Sequence, residues 1–325
     1  MSARDSILVT GGCGYVGSHF ARAAHDGGSK VVVLDDLSAG TTPELPDAIT
    51  VVRGDVADRE LVPRLLREHR ITGIAHFAGK IQVGESVHKP RLYFDGNLVK
   101  SLALLDSVLE SECRTFLFSS TAAVYGMPDE VPITETARKE PINPYGASKL
   151  AVEHALEAYG IAHGLRWAAL RYFNAAGAHS DGSLREAHEP ETHLLPLVID
   201  AALGRRPALT VFGDDYPTPD GTCIRDYVHV EDLASAHLAA LDALDAGTAV
   251  AATNLGSAAG FSVREVLETA ARVLGTPVPF TMGPRRAGDP AVLLASNARA
   301  RQLLGWQPRR SELATIIADA ARART

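Results

Sequence analysis

A glycine-rich turn directly after a short apolar run constrains this chain most. Ile7–Thr10 has strand composition, and Gly11-Gly12-Cys13-Gly14-Tyr15-Val16-Gly17 follows it, opening a segment of helical spacing over residues 16–25. Glycine permits the tight turn and removes the Cβ that would block an approaching phosphate. It also lets helix and strand pack closely. The helix N-terminus then offers free N–H groups and a positive dipole end to an anion. A glycine string alone also suits an ordinary turn, so its context must decide.

The context favours a dinucleotide. A second run, residues 30–34, ends in Asp35-Asp36, about 20 residues on, where an acid can bind the adenosine ribose hydroxyls. An acid there repels a 2′-phosphate, which points to NAD rather than NADP, and Asp36 can share the role. Asp55 has two readings: an adenine contact, or the cap of a helix beginning near Asp58. Further β-rich runs lie at 49–52, 73–77, 114–119 and 166–171, with helical segments such as 98–109 between them. Strand and helix in alternation imply parallel strands with crossover helices, and continuous apolar strands imply a sheet covered on both faces. The expected fold class is therefore α/β, a Rossmann-type doubly wound parallel sheet with a smaller C-terminal α/β substrate domain.

Beyond about Asn174 the rhythm changes. Residues 181–191 and 214–222 read as loops, and helical pieces follow at 194–203, 230–243 and 263–273. The expected division is an NAD-binding domain over 1–178, joined by parts of 208–245, and a mainly substrate-binding domain over 179–325. With 325 residues the chain can bury a sizeable core, and a formal charge of -7 lacks the basic field of a nucleic-acid binder. Three scattered cysteines, Cys13, Cys113 and Cys223, form no disulfide framework and suit a reducing compartment. Residues 1–5 lead straight into the apolar run with neither a signal peptide nor a membrane span, so the expected location is the cytoplasm. His188-Glu189-Pro190-Glu191-Thr192-His193 carries potential ligands, but its spacing matches no zinc motif. No metal is expected there.

The candidate chemistry lies at Tyr145-Gly146-Ala147-Ser148-Lys149, after a helix start at Asn143-Pro144. Four residues make one helical turn, so Tyr145 and Lys149 share a face. A phenol is a poor base at neutral pH, and a neighbouring ammonium stabilises its phenolate. The oxidised nicotinamide would act in the same sense. Upstream, Ser119-Ser120-Thr121 ends a strand, and Thr121 can bond both a sugar hydroxyl and Tyr145. Ser119 and Ser120 also suit capping and turn bonds.

The glycine fingerprint, the Ser-Ser-Thr run and the Tyr/Lys pair, in this order, resemble the extended short-chain dehydrogenase/reductase family. The resemblance narrows to the UDP-glucose 4-epimerase family through His76-Phe77-Ala78-Gly79, Val83-Gly84-Glu85-Ser86 and Leu170-Arg171-Tyr172-Phe173-Asn174. It continues through residues 210–218, 224–230 and 284–289, and so runs from Ile7 to about Pro308. It implies NAD contacts from Gly11, Gly14, Tyr15, Val16, Gly17, Asp35, Asp36, Asp55, Val56, Phe77, Ala78, Gly79, Lys80, Ser119, Tyr145, Lys149, Tyr172 and Phe173. It implies a UDP-sugar substrate. Asn174 would contact the diphosphate and sugar, with Thr192, His193 and Leu195 along the cleft. Thr210, Val211 and Phe212 would face the uracil, and Arg225, Arg286 and Asp289 would hold diphosphate and ribose, with Tyr227 nearby. Leu293 falls opposite the hexose 2-substituent. Guanidinium groups suit a pyrophosphate because each can bind two oxygens; Arg285 and Arg286 also suit a solvated surface, and Arg309 and Arg310 are read as one.

The implied mechanism takes the sugar 4-hydroxyl proton to Tyr145 through Thr121 while hydride leaves C4 for NAD. The keto sugar turns over, and hydride returns to its other face. A homodimer through helices near 98–109 and 145–159 is also implied. The sequence departs from the family at Thr121, where serine is common, at Gly96, where an asparagine is usual, and at Lys80-Ile81, where the lysine stands one position early. Ala122-Ala123 replace the acid pair of a 4,6-dehydratase, which argues against elimination. UDP-glucuronate and UDP-N-acetylhexosamine remain alternative epimerase substrates. A non-catalytic NAD sensor is the reading from a different class.

Overall fold

The computed structural model describes residues 6–38, 43–187, 191–257, 259–286 and 288–324. Residues 1–5, His188, Glu189 and Pro190 of the ligand-bearing loop, and Ala287 of the 284–289 segment lie outside the described residues.

Seven parallel strands form the main sheet: β1 (Ile7–Thr10), β2 (Val31–Asp35), β3 (Thr50–Arg53), β4 (Gly73–His76), β5 (Thr115–Thr121), β6 (Arg166–Tyr172) and β10 (Ala251–Leu255). Their spatial order is β10-β6-β5-β4-β1-β2-β3. Side chains alternate across a strand, so β1 sends Ile7 and Val9 into one core and Leu8 into the other. That two-sided burial explains the uninterrupted apolar runs. Helices α1 (Tyr15–Asp26), α2 (Leu61–Glu68), α3 (Val83–His88), α4 (Pro90–Tyr93), α5 (Lys100–Leu109) and α6 (Pro144–His163) fall within the alternating half. β10 was not anticipated from the sequence, and it carries a polar Asn254 and Thr253 that bury in the sheet.

A smaller layer follows. β7 (Asn174–Ala176), β9 (Ile224–His229), β11 (Gly260–Ser262) and β13 (Val292–Leu293) form a second sheet. β8 (Leu209–Phe212) pairs in parallel with β12 (Phe280–Gly283). Helices α7 (Leu194–Ala202), α9 (Val263–Leu274) and α11 (Leu313–Arg322) build a separate core with them, through residues such as Val198, Val266 and Ile316. Helix α8 (Val230–Asp245) instead belongs with the main sheet, placing Leu233, Ala236 and Leu241 in its core, and α10 (Ala298–Leu304) adds Ala300.

The sheet order reverses at β1, which has β2 on one side and β4 on the other. Ligands of such sheets bind outside the carboxyl ends of the strands at this switch point. Here that crevice receives the glycine turn.

Candidate active site

The glycine turn is shaped for close approach. Gly11 has φ 69°, and a Cβ on it would sit 2.4 Å from the Ala78 nitrogen. A Cβ on Gly17 would meet the Gly11 carbonyl oxygen at 2.2 Å. The N-cap of α1 is Gly14, whose lack of a side chain leaves the first-turn N–H groups uncapped. A pocket opens beside this helix end and brings together Gly11, Gly14, Asp35, Asp36, Asp55, Val56, Phe77, Ala78, Gly79 and Lys80 of the expected cofactor residues. Gly96, where the sequence departs from the family, lines it too, as do Leu34, Ser38, Gly54 and Lys100, which the sequence did not single out.

The acids at this end have backbone duties as well. Asp35 accepts from Cys13 N and Leu37 N, both at 2.9 Å, and so ties the end of β2 to the glycine turn. Asp36 accepts from Ser38 N at 2.8 Å. Asp55 accepts from Ala57 N with one oxygen and from Lys100 Nζ, at 2.5 Å, with the other. It therefore both fixes its turn and faces the pocket. Helix α2 begins at Leu61, with Glu60 as its N-cap, rather than near Asp58; Asp58, two residues before that cap, accepts from Glu60 N and Leu61 N. The Tyr15 hydroxyl donates to the Gly177 carbonyl at 2.7 Å, which leaves the residue's backbone N–H, in the first turn of α1, as its group for the cofactor end. Val16 packs against the main core, and Phe173 packs with Tyr125 and Leu293.

The catalytic candidates meet at the carboxyl end of β5. That strand runs through Thr121, two residues past the expected end. Asn143 caps α6 by accepting from Gly146 N at 2.9 Å, with Pro144 in the first turn. The helix thereby starts where Tyr145 can hydrogen-bond Thr121. Burial raises the Tyr145 phenol above its ordinary value, and the Thr121 bond partly offsets this. Lys149 does not sit on the phenol. Its Nζ donates to the Ser119 carbonyl at 3.1 Å and lies 4.8 Å from the centre of the Phe118 ring. The expected ammonium-driven lowering of Tyr145 is thus not produced by these side chains alone. Burial lowers Lys149 to about 8. Ser119 Oγ and the Tyr172 hydroxyl share a hydrogen bond of 2.5 Å, and burial raises Tyr172 well beyond the neutral range.

Asn97 is the residue that sequence reasoning passed over. Residues 94–99 form a π turn rather than the start of a regular helix, and Asn97 is buried within it. It accepts from Lys80 N at 2.7 Å and donates to Lys80 O at 3.1 Å and Ser148 Oγ at 2.9 Å. One side chain so joins the Gly79–Lys80 loop to the helix of Tyr145 and Lys149. The glycine at position 96 only opens the pocket wall, while its neighbour holds the structure. The signal available was a lone Asn between Gly96 and an apolar run.

At the other end of the cleft, Asn174 donates to the Asp226 carbonyl at 2.8 Å. Arg225 pairs with Asp289, and the Arg286 guanidinium stacks 4.2 Å over the Phe212 ring. Thr210 is exposed on β8, and Leu293 is the cross-strand neighbour of Arg225. Leu195, Val211 and Tyr227 were expected to line the cleft, yet their side chains bury in the core of α7, α9 and α11. Strand β8 alternates, so Val211 points inward where Thr210 and Phe212 do not. His193 Nδ1 contacts Glu186 at 2.7 Å and Glu191 at 3.0 Å, and these carboxylates raise its pKa to about 10. The three side chains bring ligand atoms within 4.8 Å of one another, but a protonated imidazole between two carboxylates is a self-satisfied ion cluster.

Comparison with known proteins settles what this arrangement belongs to. The model of the NAD dependent epimerase/dehydratase family matches residues 7–256. The chain belongs to that family. It is 50% identical to the UDP-glucose 4-epimerase of Azospirillum brasilense, covering 98% of this chain and 92% of that protein. It is likewise 50% identical to the UDP-glucose 4-epimerase of Streptomyces lividans, over 96% and 94%. The crystal structure of UDP-glucose 4-epimerase from Brucella ovis in complex with NAD superposes with a TM-score of 0.94 at 44% identity, covering 98% of each chain.

The pocket fits the family's cofactor. An uncapped helix N-terminus suits a pyrophosphate, and the acids at the end of β2 suit ribose hydroxyls while opposing a 2′-phosphate. NAD is therefore the cofactor of this enzyme.

Proposed function

We propose that the chain is a UDP-hexose 4-epimerase that interconverts UDP-galactose and UDP-glucose. The observation that carries the reading is the convergence of Thr121, Tyr145 and Lys149 beside the dinucleotide pocket, with only Ala122 and Ala123 in the turn that follows. No carboxylate stands in that turn to eliminate water, so oxidation at C4 has reversal as its outlet. When bound, NAD supplies reversible hydride acceptance. Tyr145 takes and returns the proton of the 4-hydroxyl, and Thr121 bridges the two oxygens. Lys149, held on the Ser119 carbonyl rather than on the phenol, would add to the positive charge that the oxidised nicotinamide brings to the site. General acid–base assistance of this kind contributes about 10²–10⁴-fold.

Asn174, Thr210, Phe212, Arg225, Arg286 and Asp289 would hold the nucleotide, the guanidinium groups meeting the diphosphate. We read residues 1–178 with the β9–α8 segment and β10 as the cofactor domain, and the layer around β8, α7, α9 and α11 as the substrate domain. The active form would be a cytoplasmic homodimer. Exposed apolar residues on the outer face, Val99 on the π turn and Ile161 on α6, support the contact. Among the described residues no helix is long and apolar enough to cross a membrane.

The test is product analysis after incubating the purified protein with UDP-galactose and no added NAD. UDP-glucose is the expected product. No conversion, even with added NAD, would overturn the substrate assignment.

A further inference from the structure

Helix α6 carries a third ionisable residue on its catalytic face. Tyr145, Lys149 and Glu153 follow at four-residue intervals and so stack along one side of the helix. Glu153 is 4% exposed and Arg171, on β6, is 2% exposed. Their pairing is bidentate: Arg171 Nε donates to Glu153 Oε1 at 2.9 Å, and a terminal guanidinium nitrogen reaches Oε2. Ser120 Oγ donates to the same Oε1 at 2.5 Å, and Ser120 and Arg171 are cross-strand neighbours on β5 and β6. Arg171 also donates to the Tyr125 hydroxyl, which donates to Asn254.

A buried ion pair is a weak source of stability, because desolvation offsets most of its attraction. Its place beside the dyad has a better explanation. A buried ammonium and a carboxylate one helical turn apart would ordinarily pair. Here Lys149 instead meets the Ser119 carbonyl and the Phe118 ring. Three successive residues of β5 are thereby attached to three turns of α6: Ser119 to Lys149, Ser120 to Glu153 and Thr121 to Tyr145.

We propose that Arg171 and Glu153 are positioning residues for the Tyr145–Lys149 dyad. The guanidinium holds the Glu153 carboxylate away from Lys149, and the Ser120 bond pins the strand end of Thr121 to the helix of Tyr145. The other titratable groups around the dyad are already engaged. His76 on β4 bonds Thr10 and Ser101, Tyr172 on β6 bonds Ser119, and Tyr93 on α4 bonds Glu85 of α3. The inference rests on the epimerase reading for its rate measurement only.

The test uses Arg171→Gln, which frees the carboxylate to turn toward Lys149. A negative charge there opposes a phenolate, so the Tyr145 phenol should titrate about one unit higher, a tenfold loss of phenolate at a given pH. Its midpoint is read as the phenolate absorbance difference between each protein and its Tyr145→Phe counterpart. kcat for UDP-galactose at neutral pH should fall on the order of tenfold, with KM unchanged. The double variant Glu153→Gln/Arg171→Gln removes both charges. It should restore the phenol midpoint and most of kcat, while its melting temperature stays as low as that of the single variant. Where Arg171→Gln does not fold, Arg171→Lys keeps the charge without the bidentate geometry and should shift the midpoint the same way by less. A lowered melting temperature with unmoved phenol midpoints would reduce the pair to a brace and overturn the proposal, as would a double variant as slow as the single. A shifted midpoint in a protein whose wild type leaves UDP-galactose unconverted would support the positioning role and overturn the substrate reading instead.

Discussion

The two ends of the cleft are built on different principles. At the dinucleotide end the recognition surface is mostly backbone. It comprises a glycine turn, a helix start with no capping side chain, and acids whose oxygens already fix neighbouring turns. At the end proposed for the sugar nucleotide, the proposed recognition groups are long side chains engaged with one another, Arg225 with Asp289 and Arg286 with Phe212. Backbone geometry leaves little to rearrange when a ligand binds. Side chains held by each other must exchange one partner for another, which costs affinity and gives release. The contrast suits an enzyme that keeps its cofactor and turns over its sugar nucleotide.

Between these ends stands Tyr145, and its removal is the largest effect expected. Tyr145→Phe keeps the ring that packs edge-on against Tyr93, 6.4 Å away, and loses only the hydroxyl that bonds Thr121. Epimerase turnover should fall by about 10²–10⁴-fold. Bound NAD and the affinity for UDP should both persist, as measured by the absorbance of released cofactor and by calorimetry. Full activity would remove Tyr145 from the chemistry. Loss of either ligand would mean that the two ends communicate through it.

The dinucleotide end is sharpened by Gly17→Ala. The added Cβ would stand 2.2 Å from the Gly11 carbonyl oxygen, a backbone atom, and Gly17 itself is buried, so the backbone must shift. Overpacking of this kind costs about 1–3 kcal/mol. The protein should purify with little NAD and melt at a lower temperature, and added NAD should restore only part of the activity. Unchanged cofactor retention would break the claim that backbone shape governs this end.

The same division decides what could be read from the sequence. The main sheet was legible because strands covered on both faces need apolar runs, which the inner strands β1, β2, β4, β5 and β6 show, while the edge strand β3, largely exposed, was legible from its short β-branched run. The seventh, β10, escaped because its Thr253 and Asn254 are polar: Asn254 is buried against Tyr125, Glu135 and Ile133, contacts that no local pattern announces. The glycine turn and the Tyr/Lys spacing were legible because they are local. Asn97 was not, because its value comes from bonds to Lys80 and Ser148, 17 and 51 residues away. Leu195, Val211 and Tyr227 lie in segments that resemble the family's, but a matched segment does not say which of its side chains face inward.

The smallest effect belongs to the sugar-nucleotide end. Arg286→Ala removes a guanidinium that is exposed, stacks on Phe212 and has no carboxylate of its own among the hydrogen-bonded pairs of the described residues. A hydrogen bond from a charged group to a ligand is worth about 1.5–3 kcal/mol, and part of that is offset here because the stacking on Phe212 must be given up on binding. KM for UDP-galactose should therefore rise on the order of tenfold, while kcat and NAD retention stay at the parental values. Steady-state kinetics with cofactor content measured on the same samples would check both. An equal fall in kcat would place Arg286 in contact with the reacting geometry. A loss of NAD would show that the two ends share one framework, and the contrast between them would then fail.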